Sequence, residues 1–541
     1  MIYDTWDVRA KYPRDIIEAL LEIRGITEID TFINPDYHNL TATDDLLNLN
    51  EAAERIHEAI KNKESIGLFC DYDADGVCGG AIIYRTISTL GGKVIEFVPE
   101  RKDGYGLSDK ALDFFRTSGI KLLITVDCGI KSSRQITELK KHKVDTIVVD
   151  HHIIDTNLPP AIIVHPSLTK SRKNLELSGG GTAYMLARRL FKERGQEKWL
   201  IDLAAISSVA DVVPLNHDNR ILVKYGLKVL QKTKNQGLKE LLNSAGLTGR
   251  QLSAYDLGFA IAPRLNAAGR IAHPVDSFNL LVDKPGLRDI ATKLNKLNQI
   301  RQDMLAKATD QAISYIENNG LYQGKLIMIK GDYDEGIVGL IASKICEKYH
   351  RPAIVLSEKA KTLKGSARSI KDINITTIIS KAEKFLVSFG GHSQAAGLSM
   401  DISNFKKVEK ILLSEAKQYP DELFKRKLQI DALINHADFN IKMVEKIEQL
   451  SPFGQGNPKP VFMIENALMQ GFEVIGKDKS HKKIHFSCTG GNGSCLMFNY
   501  QNKNIDHQDG VKFDIAFTVG INEFRGNKKV DYFLIDAKES Q

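Results

Sequence analysis

Apolar and polar positions alternate in blocks along the chain, and between about residues 51 and 215 short apolar runs take turns with longer amphipathic stretches. The apolar runs have the length of buried strands, and the stretches between them repeat apolar side chains at the three- and four-residue spacing of helices. The predicted strands cover residues 66–70, 93–99, 122–126 and 145–149. This alternation predicts a parallel sheet with helices on both faces.

Further along the chain the pattern changes. Residues 216–280 have a mainly helical pattern, and apolar side chains at helical spacing continue from residue 287 to 318 without proline or glycine. A helix of this length favours a connector between two domains, with a coiled coil as the alternative. Strands and helices alternate again at residues 325–401. A turn-rich stretch at 451–460 then introduces five short strand-like runs, which fit a small barrel or sandwich.

These patterns divide the chain into five predicted segments. They are a helical segment (1–50), a parallel-sheet α/β domain (51–285), a connecting helix (286–322), a smaller α/β domain (323–415) and a C-terminal β-barrel (416–541). Several domains are also expected from size, because 541 residues are too many for one ordinary core. The predicted fold class is therefore α/β with an appended β-barrel.

Composition is that of a globular protein and leaves the binding partner open. The chain is 43% hydrophobic and 26% charged, and it contains no apolar run of about 18 residues and no basic-then-apolar start. Six cysteines lack the spacing of a zinc site or a disulfide framework. We therefore expect a protein of the reducing cytoplasm that does not enter a membrane. A net charge of +7 is compatible with nucleic acid but does not decide the partner.

Three aspartates at alternate positions, Asp71, Asp73 and Asp75, follow the first predicted strand. In an extended segment, side chains two residues apart point the same way, so the three carboxylates would share one small space. Their repulsion would raise their pKa values unless a cation neutralises them, and hard divalent cations prefer such oxygen clusters. A metal site is the first hypothesis, and an acidic turn on the surface is the alternative.

Two further predicted strands also end in acidic or imidazole side chains. One strand is followed by Asp127, and the other by Asp150, His151 and His152. Because the carboxyl ends of parallel strands share one edge of a sheet, we expect these side chains to meet. Asp211 is an additional candidate, since it is a lone acid in an apolar run and an unpaired buried carboxylate is unfavourable.

Together these residues predict a metal centre. The candidate ligands are Asp73, Asp75, Asp127, His151 and Asp211. A set of carboxylates with one imidazole suits Mn²⁺ or Mg²⁺ better than structural zinc. Five such ligands have the capacity to hold two ions, an arrangement that stabilises the attacking and leaving oxygens of a phosphoryl displacement.

Seven short motifs, in order along the chain, resemble those of one known family. They are Asp71-Tyr-Asp-Ala-Asp-Gly76, Asp127-Cys-Gly129, Asp150-His-His152, Val209-Ala-Asp-Val-Val-Pro214, Ala262-Pro-Arg-Leu-Asn-Ala-Ala-Gly-Arg270, Gly365-Ser-Ala-Arg-Ser369 and Phe389-Gly-Gly-His392. The first four resemble the DHH phosphoesterase superfamily, and the others resemble its RecJ branch with a DHHA1 domain. The segment at 451–458 resembles that branch's entry into an OB-fold. The implied architecture is DHH (51–285), DHHA1 (323–415) and OB-fold (416–541).

The resemblance implies an exonuclease that degrades single-stranded DNA 5′→3′ to mononucleotides with Mg²⁺ or Mn²⁺, in DNA repair and recombination. The metal ligands that it implies are Asp73, Asp75, Asp127, His151 and Asp211, with Asp71 in support or as a further ligand. Asp127 and His152 are the implied catalytic residues, and His152 would lie beside the scissile phosphate as an electrostatic or proton-transfer group. Arg101, Ser366 and Arg368 match positions that engage the 5′-terminal phosphate.

Further phosphate contacts are expected from residue chemistry. Arginine binds phosphate with two parallel hydrogen bonds, and glycine lets backbone N–H groups come close. Arg264, Asn266 and Arg270 lie in a loop-like stretch and are predicted to bind backbone phosphates, with a structural ion pair as the alternative for Arg264. His392, which follows two glycines, is predicted to contact the substrate.

The C-terminal barrel is expected to select single strands through a basic groove and stacking aromatic rings. The predicted contacts are Lys482, Lys483, Phe524, Arg525 and Lys528, with Phe486, Phe498 and Tyr500 as further rings. Residues 421–541 contain 16 basic and 16 acidic side chains, so any basic surface there must be local. A charge-balanced barrel used for packing or protein contact is the alternative.

Two other functions fit parts of the pattern. A DHH-family phosphodiesterase of short RNA or cyclic dinucleotides would share the metal motifs, but such relatives typically end after the DHHA1 domain. A non-catalytic DNA-binding scaffold would have lost metal-site acids, all of which are present here. Tyr333 and Asp334 stand where the RecJ branch usually has Trp-His, so the resemblance does not extend to that histidine's substrate contact. We expect a monomer that binds single-stranded DNA, with a helicase and a single-strand-binding protein as candidate partners.

Overall fold

The computed structural model describes residues 2–154, 157–170, 175–476, 478–500, 510–524 and 526–540; of the predicted DNA contacts, Arg525 and the side chain of Phe524 lie outside these residues. The strands are β1 (Thr5–Lys11), β2 (Ser65–Cys70), β3 (Lys93–Phe97), β4 (Leu122–Val126), β5 (Asp145–Val149), β6 (Ile162–Val164), β7 (Ile327–Gly331), β8 (Ala353–Lys359), β9 (Thr362–Arg368), β10 (Ser388–His392), β11 (Ala395–Asp401), β12 (Lys427–Leu433), β13 (Phe462–Ile475), β14 (His481–Cys488), β15 (Gly491–Met497), β16 (Lys512–Phe524) and β17 (Asn527–Glu539). The α-helices are α1 (Ile16–Ile23), α2 (Ile29–Ile33), α3 (Leu49–Lys61), α4 (Ala74–Thr89), α5 (Asp109–Thr117), α6 (Ser133–Lys141), α7 (Gly179–Leu190), α8 (Ile201–Ala210), α9 (His217–Leu230), α10 (Gln236–Ser244), α11 (Ala254–Asp256), α12 (Ala262–Ile271), α13 (Val275–Leu281), α14 (Leu287–Asn318), α15 (Val338–Tyr349), α16 (Ile375–Ser380), α17 (Phe405–Ala416) and α18 (Ile441–Glu448). Short 3₁₀ segments lie at Tyr37–Asn39, Thr43–Asp45, Arg101–Asp103, Glu197–Leu200, Leu321–Gln323, Glu383–Phe385, Ile402–Asn404, Asp421–Phe424 and His436–Asp438, and a π-helical turn lies at Leu257–Ile261.

A five-stranded parallel sheet with the order β3-β2-β4-β5-β6 forms the centre of the first domain. The predicted parallel α/β domain is therefore confirmed, and four of its strands lie where the apolar runs place them. Strands β2, β4 and β5 are buried along nearly their whole length, which explains their continuously apolar sequences. Because these three strands are neighbours, the side chains that follow them come together at one edge of the sheet.

The N-terminal segment departs from the predicted helical pattern. Residues 5–11 form strand β1, which pairs in parallel with β12 at the edge of the C-terminal sheet. Exposed and half-buried positions alternate along β1, and Trp6 Nε1 donates a hydrogen bond to Asp536 at 3.1 Å. Sequence periodicity misses this strand because its pairing partner lies at the other end of the chain, and strand preference depends on such neighbours.

A single 32-residue helix, α14, connects the first domain to the second, as predicted. At 1.5 Å per residue it is about 48 Å long. Its first turns bury Ala291 and Leu294 in the core of the first domain, and its last turns bury Ala308, Ala312 and Ile316 in the core of the second. The helix is long because its two ends pack into the cores of two different domains.

The second and third domains complete the predicted architecture. The second contains a mixed sheet with the order β10-β11-β9-β8-β7, in which β7 and β8 are parallel and the other pairs antiparallel. In the third, β13, β14, β15, β17 and β16 follow one another around a barrel that pairing of β13 with β16 closes. The segment before the barrel contacts the first domain, where the Leu215 N–H donates to Gln455 O at 2.7 Å. No helix within the described residues combines the length and apolar character that crossing a membrane requires.

Candidate active site

The acidic segment that follows β2 turns directly into helix α4, and Asp73 is the N-cap residue of that helix. The Asp73 carboxylate accepts hydrogen bonds from the backbone N–H groups of Asp75 at 2.9 Å and Gly76 at 3.1 Å. Short polar side chains at an N-cap commonly do so, because the first N–H groups of a helix lack partners. The predicted extended row of Asp71, Asp73 and Asp75 is therefore wrong, although all three residues still lie at the edge of the sheet.

Asp75 is buried, and the start of a second helix stabilises its carboxylate. The N–H groups of Gly179 and Gly180, at the N-terminus of α7, donate to its two oxygens at 2.8 and 2.7 Å, and the Ser207 hydroxyl donates to it as well. Free N–H groups and the helix dipole both favour a negative charge at this position. Sequence reasoning missed Gly179, Gly180 and Ser207. The sequence signal for the two glycines was Ser178, the N-cap residue, followed by three glycines at the start of a helical pattern.

Gly180→Ala tests whether this close approach matters. An added Cβ atom would overlap the Ser207 hydroxyl that bonds Asp75. We expect the free energy of unfolding to fall by ~1–3 kcal/mol and catalytic activity to fall roughly tenfold, because the carboxylate would move. Thermal unfolding and an activity assay check both effects. Gly324→Ala is the control, since an added Cβ there meets no atom closer than 3.5 Å. Full activity of Gly180→Ala would mean that the position of Ser207 is not needed.

The remaining predicted ligands come from three different elements. Asp127 follows β4 in a left-handed backbone conformation (φ 62°), and His151 follows β5. Asp211 follows helix α8 and not a strand. His151 Nε2 lies 3.1 Å from Asp127 Oδ1 and 3.7 Å from an oxygen of each of Asp75 and Asp211. One imidazole nitrogen is thus surrounded by three carboxylates.

The ligand side chains fall into two neighbouring groups, and a third group overlaps both. Within each group, three ligand atoms lie within 4.8 Å of one another: Asp75, His151 and Asp211 in the first, Asp71, Asp73 and Asp127 in the second, and Asp127, His151 and His152 in the overlapping third. The approach of His151 to Asp127 joins the two groups. Two such groups have the donor set that two neighbouring hard cations need. Asp71, which the resemblance assigns mainly to support, is a member of the second group.

Three buried ligand atoms have no hydrogen-bond partner among the described residues: Asp71 Oδ1, Asp127 Oδ1 and His151 Nε2. The last two approach to 3.1 Å without hydrogen-bond geometry. Burial raises the pKa of Asp127 well above its usual range, and the charges of the neighbouring acids raise it further. Burial likewise raises the pKa of Asp211 to about 9. Divalent cations fit this cluster, because they would give each unpartnered atom a partner and neutralise the carboxylates.

His152 lies beside the cluster and contacts an acid and a phenol. Its Nδ1 is 2.8 Å from Asp150 Oδ1 and 2.9 Å from the Tyr105 hydroxyl. Burial lowers the pKa of His152, but the hydrogen bond and charge of Asp150 outweigh burial, so the pKa is raised. A positively charged imidazole attracts phosphate oxygens. Sequence reasoning gave Tyr105 no function, although an aromatic residue between two glycines, close to Arg101 in the sequence, was a signal of a functional segment.

Arg264, Asn266 and Arg270 lie on helix α12, which replaces the loop that was expected. Asn266 Oδ1 accepts a hydrogen bond from the Ala74 N–H at 2.8 Å, which connects α12 to the start of α4. Arg264 donates to Asn295 Oδ1 at 2.9 Å and to the backbone carbonyl of Ala260 in the π-helical turn that precedes α12. Arg264 therefore has neutral structural partners rather than the alternative ion pair. Phosphate binding by these residues stays a prediction.

Arg101 and Arg270 form a basic group next to the acids. The Arg101 guanidinium lies over the Tyr72 ring at 4.9 Å, and Arg270 Nη1 donates to Gly336 O of the second domain at 3.2 Å. Burial, together with the charges of Arg101 and Arg301, lowers the pKa of Arg270 to about 10. Sequence reasoning missed Arg301, whose buried Nε has no partner among the described residues. Cations this close together favour an anion nearby.

In the second domain, Ser366 and Arg368 lie on one face of β9 near the first turn of α15. Arg368 Nη1 donates to Ser366 Oγ at 2.8 Å, and a Cβ added at Gly339 would lie 3.2 Å from both side chains. His392 is close to the first domain. Burial lowers its pKa most, and the charge of His152 lowers it further. His392 therefore lies within electrostatic reach of His152, and phosphate binding by Ser366 and Arg368 stays a prediction.

Tyr333 and Asp334 belong to the packing of the second domain. Tyr333 is buried in its core, and the Asp334 carboxylate accepts a hydrogen bond from the Gly336 N–H at 2.7 Å. Their departure from the family pattern leaves the metal cluster unaffected.

The barrel has a basic and aromatic surface at Lys482. Lys482 Nζ lies 4.2 Å from the ring centre of Phe472 and 4.4 Å from that of Tyr500. Phe498 is 42% exposed, and its ring stacks on Phe533 with 5.9 Å between centres. These side chains have the character of a surface on which bases stack.

Other predicted barrel contacts lie in different settings. Lys483 lines a cavity of about 570 Å³ together with His485 and Tyr532. Lys528 forms an ion pair with Glu445 at 3.2 Å. Phe486 is fully buried in the barrel core, so its predicted use as a stacking ring is wrong. Strand alternation alone does not show which ring points inward.

Comparison with known proteins establishes the family. Residues 65–208 match the DHH family N-terminal domain, residues 320–418 match the DHHA1 domain, and residues 430–536 match the RecJ OB domain. The single-stranded-DNA-specific exonuclease RecJ of Bacillus subtilis (strain 168) is 34% identical over 97% of this chain and 68% of that protein. The chain belongs to the RecJ family of single-stranded-DNA-specific exonucleases.

Solved structures of the RecJ family share this fold. The crystal structure of RecJ from Thermus thermophilus in complex with Mn²⁺ matches with a TM-score of 0.84 and 26% identity, over 99% of this chain and 80% of that one. Its complex with Mg²⁺ gives a TM-score of 0.79 at the same identity, over 99% and 79%. The architecture expected from the seven motifs is thus confirmed, while the domain boundaries and individual residue functions stay predictions.

Proposed function

We propose that this RecJ family member degrades single-stranded DNA from its 5′ end to 5′-mononucleotides, with two Mg²⁺ or Mn²⁺ ions as cofactor, in DNA repair and recombination. The observation that carries the proposal is the set of three buried ligand atoms, of Asp71, Asp127 and His151, that have no hydrogen-bond partner within the described part of the chain. An acidic cluster that needs cations suits phosphodiester hydrolysis. Family membership supplies the substrate class.

In the proposed mechanism, each group of ligand side chains would hold one cation. Bound cations would stabilise the negative charge of the phosphate and activate a water molecule as the nucleophile. The N–H groups of Gly179 and Gly180 and the Ser207 hydroxyl hold the Asp75 carboxylate in one orientation before substrate arrives. Preorganisation of this kind removes the need to reorder the ligands during reaction.

We infer that His152 interacts with the scissile phosphate. Asp150 bonds its Nδ1, so the ring presents Nε2 as its second donor. The raised pKa of His152, in which Asp150 outweighs the effect of burial, keeps the imidazolium form to higher pH. A charged donor binds a phosphate oxygen more strongly than a neutral one.

The basic groups of two domains support the proposed direction. Arg101 and Arg270 belong to the first domain and Ser366 and Arg368 to the second, and the bond from Arg270 to Gly336 connects the two. A terminal phosphate carries more negative charge than an internal phosphodiester, so it is attracted more strongly by such a group. A 5′-phosphate bound there would present the first linkage of the strand to the cluster.

The alternatives fit less well. A phosphodiesterase of short RNA or cyclic dinucleotides would have no use for the barrel surface around Lys482, Phe472 and Tyr500, which suits a longer strand. A non-catalytic scaffold would not need a complete ligand set. A monomeric state, a cytoplasmic location expected from cysteine usage, and a helicase and a single-strand-binding protein as partners complete the proposal.

One assay tests the proposal. Single-stranded DNA labelled at either end, the matching duplex and the matching RNA would each be incubated with the protein and Mg²⁺, Mn²⁺ or EDTA. We expect mononucleotides to be released from the 5′ end of single-stranded DNA, and no product with EDTA. Release from the 3′ end would contradict the direction, preference for cyclic dinucleotides would favour the phosphodiesterase, and binding without hydrolysis would favour the scaffold.

A further inference from the structure

Two exposed aromatic rings stack on each other in the first domain. Tyr255 and Phe259 are 68% and 69% exposed, their ring centres are 4.5 Å apart, and the ring planes differ by 23°. Aromatic side chains usually bury most of their large apolar surface. A stacked pair with this exposure presents an aromatic face to solvent. The metal cluster and the predicted phosphate contacts do not use either ring.

The backbone under the pair is rigid. Tyr255 lies in α11, and Phe259 lies in the π-helical turn that continues into α12. Leu257 and Ile261 of the same turn are fully buried in the core of the first domain. Turns of this type occur frequently at functional sites. Because the rings are already held in place, a ligand that stacks on them would lose little conformational entropy.

The helix that carries the rings leads to the metal cluster. Asn266, further along the same helix, bonds the Ala74 N–H next to the acidic N-cap of α4. At up to ~1.5 Å per residue, Phe259 lies at most about 10 Å and Tyr255 at most about 16 Å from Asn266 along the helix axis. A strand that runs along this helix with its bases stacked ~3.4 Å apart would span these lengths with about three to five nucleotides.

A second contact places the pair on the Asp211 side of the cluster. A Cβ added at Gly258, between the two rings, would lie 3.3 Å from Val209 Cγ1. Val209 is in the last turn of α8, two residues before Asp211. Val212, the residue after Asp211, is 63% exposed. The turn that carries the rings therefore packs beside the end of α8 that leads to a predicted metal ligand.

We propose that Tyr255 and Phe259 form a base-stacking platform for nucleotides on the 3′ side of the cleaved bond, about three to five positions away. The proposal rests on the proposed function. Without its cations the acidic cluster repels the DNA backbone, whereas stacking on a base needs no charge and tolerates every sequence. Arg264 lies on the same helix between the rings and Asn266, where it adds a positive charge along this path.

The test measures binding of a single strand of about twelve nucleotides in EDTA, by fluorescence anisotropy, so that no hydrolysis occurs. We expect the double variant Tyr255→Leu/Phe259→Leu to raise Kd about tenfold, because base–aromatic stacking has this magnitude. Tyr255→Phe/Phe259→Tyr keeps both rings and should retain the affinity. Tyr322→Leu is the matched control, since Tyr322 also stacks on a ring, that of Tyr349, but in the second domain.

An abasic scan locates the contact. In the unchanged protein, removal of single bases about three to five positions from the 5′ end should weaken binding, and removal further along should not. In the double leucine variant the same abasic strands should bind no worse than the intact strand. Hydrolysis of a dinucleotide, which is too short to reach the rings, should be equal in both proteins.

The outcomes separate the two proposals. An equal Kd for the unchanged protein and the double leucine variant would overturn the platform and would suggest a protein contact at this patch instead. Loss of affinity in the variant, together with failure of the unchanged protein to hydrolyse the strand with Mn²⁺, would support the platform and overturn the proposed function. Unchanged thermal unfolding of the variant shows that the exposed substitutions leave the fold intact.

Discussion

Asp127→Asn should abolish hydrolysis and at the same time stabilise the metal-free protein. The amide keeps the shape of the side chain but is a poor cation ligand, so we expect turnover to fall by at least about 10³-fold. The free energy of unfolding of the metal-free protein should instead rise. Burial and the neighbouring acids raise the pKa of Asp127 above its ordinary value, so its ionisation favours the unfolded chain. As pH rises from the ordinary pKa of an aspartate toward the raised pKa of Asp127, the metal-free protein therefore loses stability. The variant has no ionisable group at this position, so its stability does not fall in this way.

Thermal unfolding with and without Mn²⁺ measures both effects. Metal-free Asp127→Asn should unfold at a higher temperature than the unchanged protein near neutral pH, and the difference should shrink toward pH ~4. Added Mn²⁺ should stabilise the unchanged protein but have a much smaller effect on the variant. The control is Asp202→Asn. Asp202 is a buried carboxylate outside the cluster and accepts a hydrogen bond from the Thr233 hydroxyl, so this variant should remain active. Equal stabilisation by Mn²⁺ in both proteins would show that Asp127 is not a ligand.

Arg368→Met should remove the preference for a 5′-phosphate. Methionine keeps an apolar stem beside Ser366 but cannot donate hydrogen bonds. Two charge-assisted hydrogen bonds to a phosphate contribute enough for kcat/KM on a 5′-phosphorylated strand to fall about 10²-fold. The same strand with a 5′-hydroxyl lacks the anion, so its kcat/KM should change little. Comparison of the two strands isolates the phosphate from general effects on the enzyme.

Lys406→Met is the control for charge, because Lys406 is an exposed cation of the same domain that pairs with Glu409. It should hydrolyse both strands as the unchanged protein does. If Arg368→Met lowered kcat/KM equally on both strands, Arg368 would act on the fold or on every phosphate rather than on the terminal one. The proposed recognition of the 5′ end would then have to be assigned to other residues.

Much of the architecture could be predicted from local sequence. The strands β2, β4 and β5 are continuously apolar because both faces of the sheet are covered, so their positions and the ligands that follow them were recognisable. Both ends of the connecting helix were predicted correctly, since the helical spacing of apolar residues stops at glycine on either side. The order of the seven motifs was enough to indicate the family.

Local sequence was misleading where a contact joins distant parts of the chain. Strand β1 was taken for helix because it is an edge strand whose partner, β12, lies in the last domain. The stretch that contains Asn266 was taken for a loop, although it is a helix that bonds the start of α4. Phe486 was expected to stack on DNA, but barrel closure turns it inward. In each case tertiary packing overrides the local preference.

The sequence by itself determined the identity of the metal ligands as candidates, the three-domain order and the family, because these depend on residue type and spacing. The tertiary structure alone decided how the acids are arranged. It placed Asp71 in a ligand group and held Asp75 with the N–H groups of Gly179 and Gly180. It left Asp127 Oδ1 and His151 Nε2 without hydrogen-bond partners among the residues that the structure describes. It also brought Tyr255 and Phe259 together in the open. Hydrogen bonds and burial depend on distances between side chains, and those distances exist only once the chain has folded.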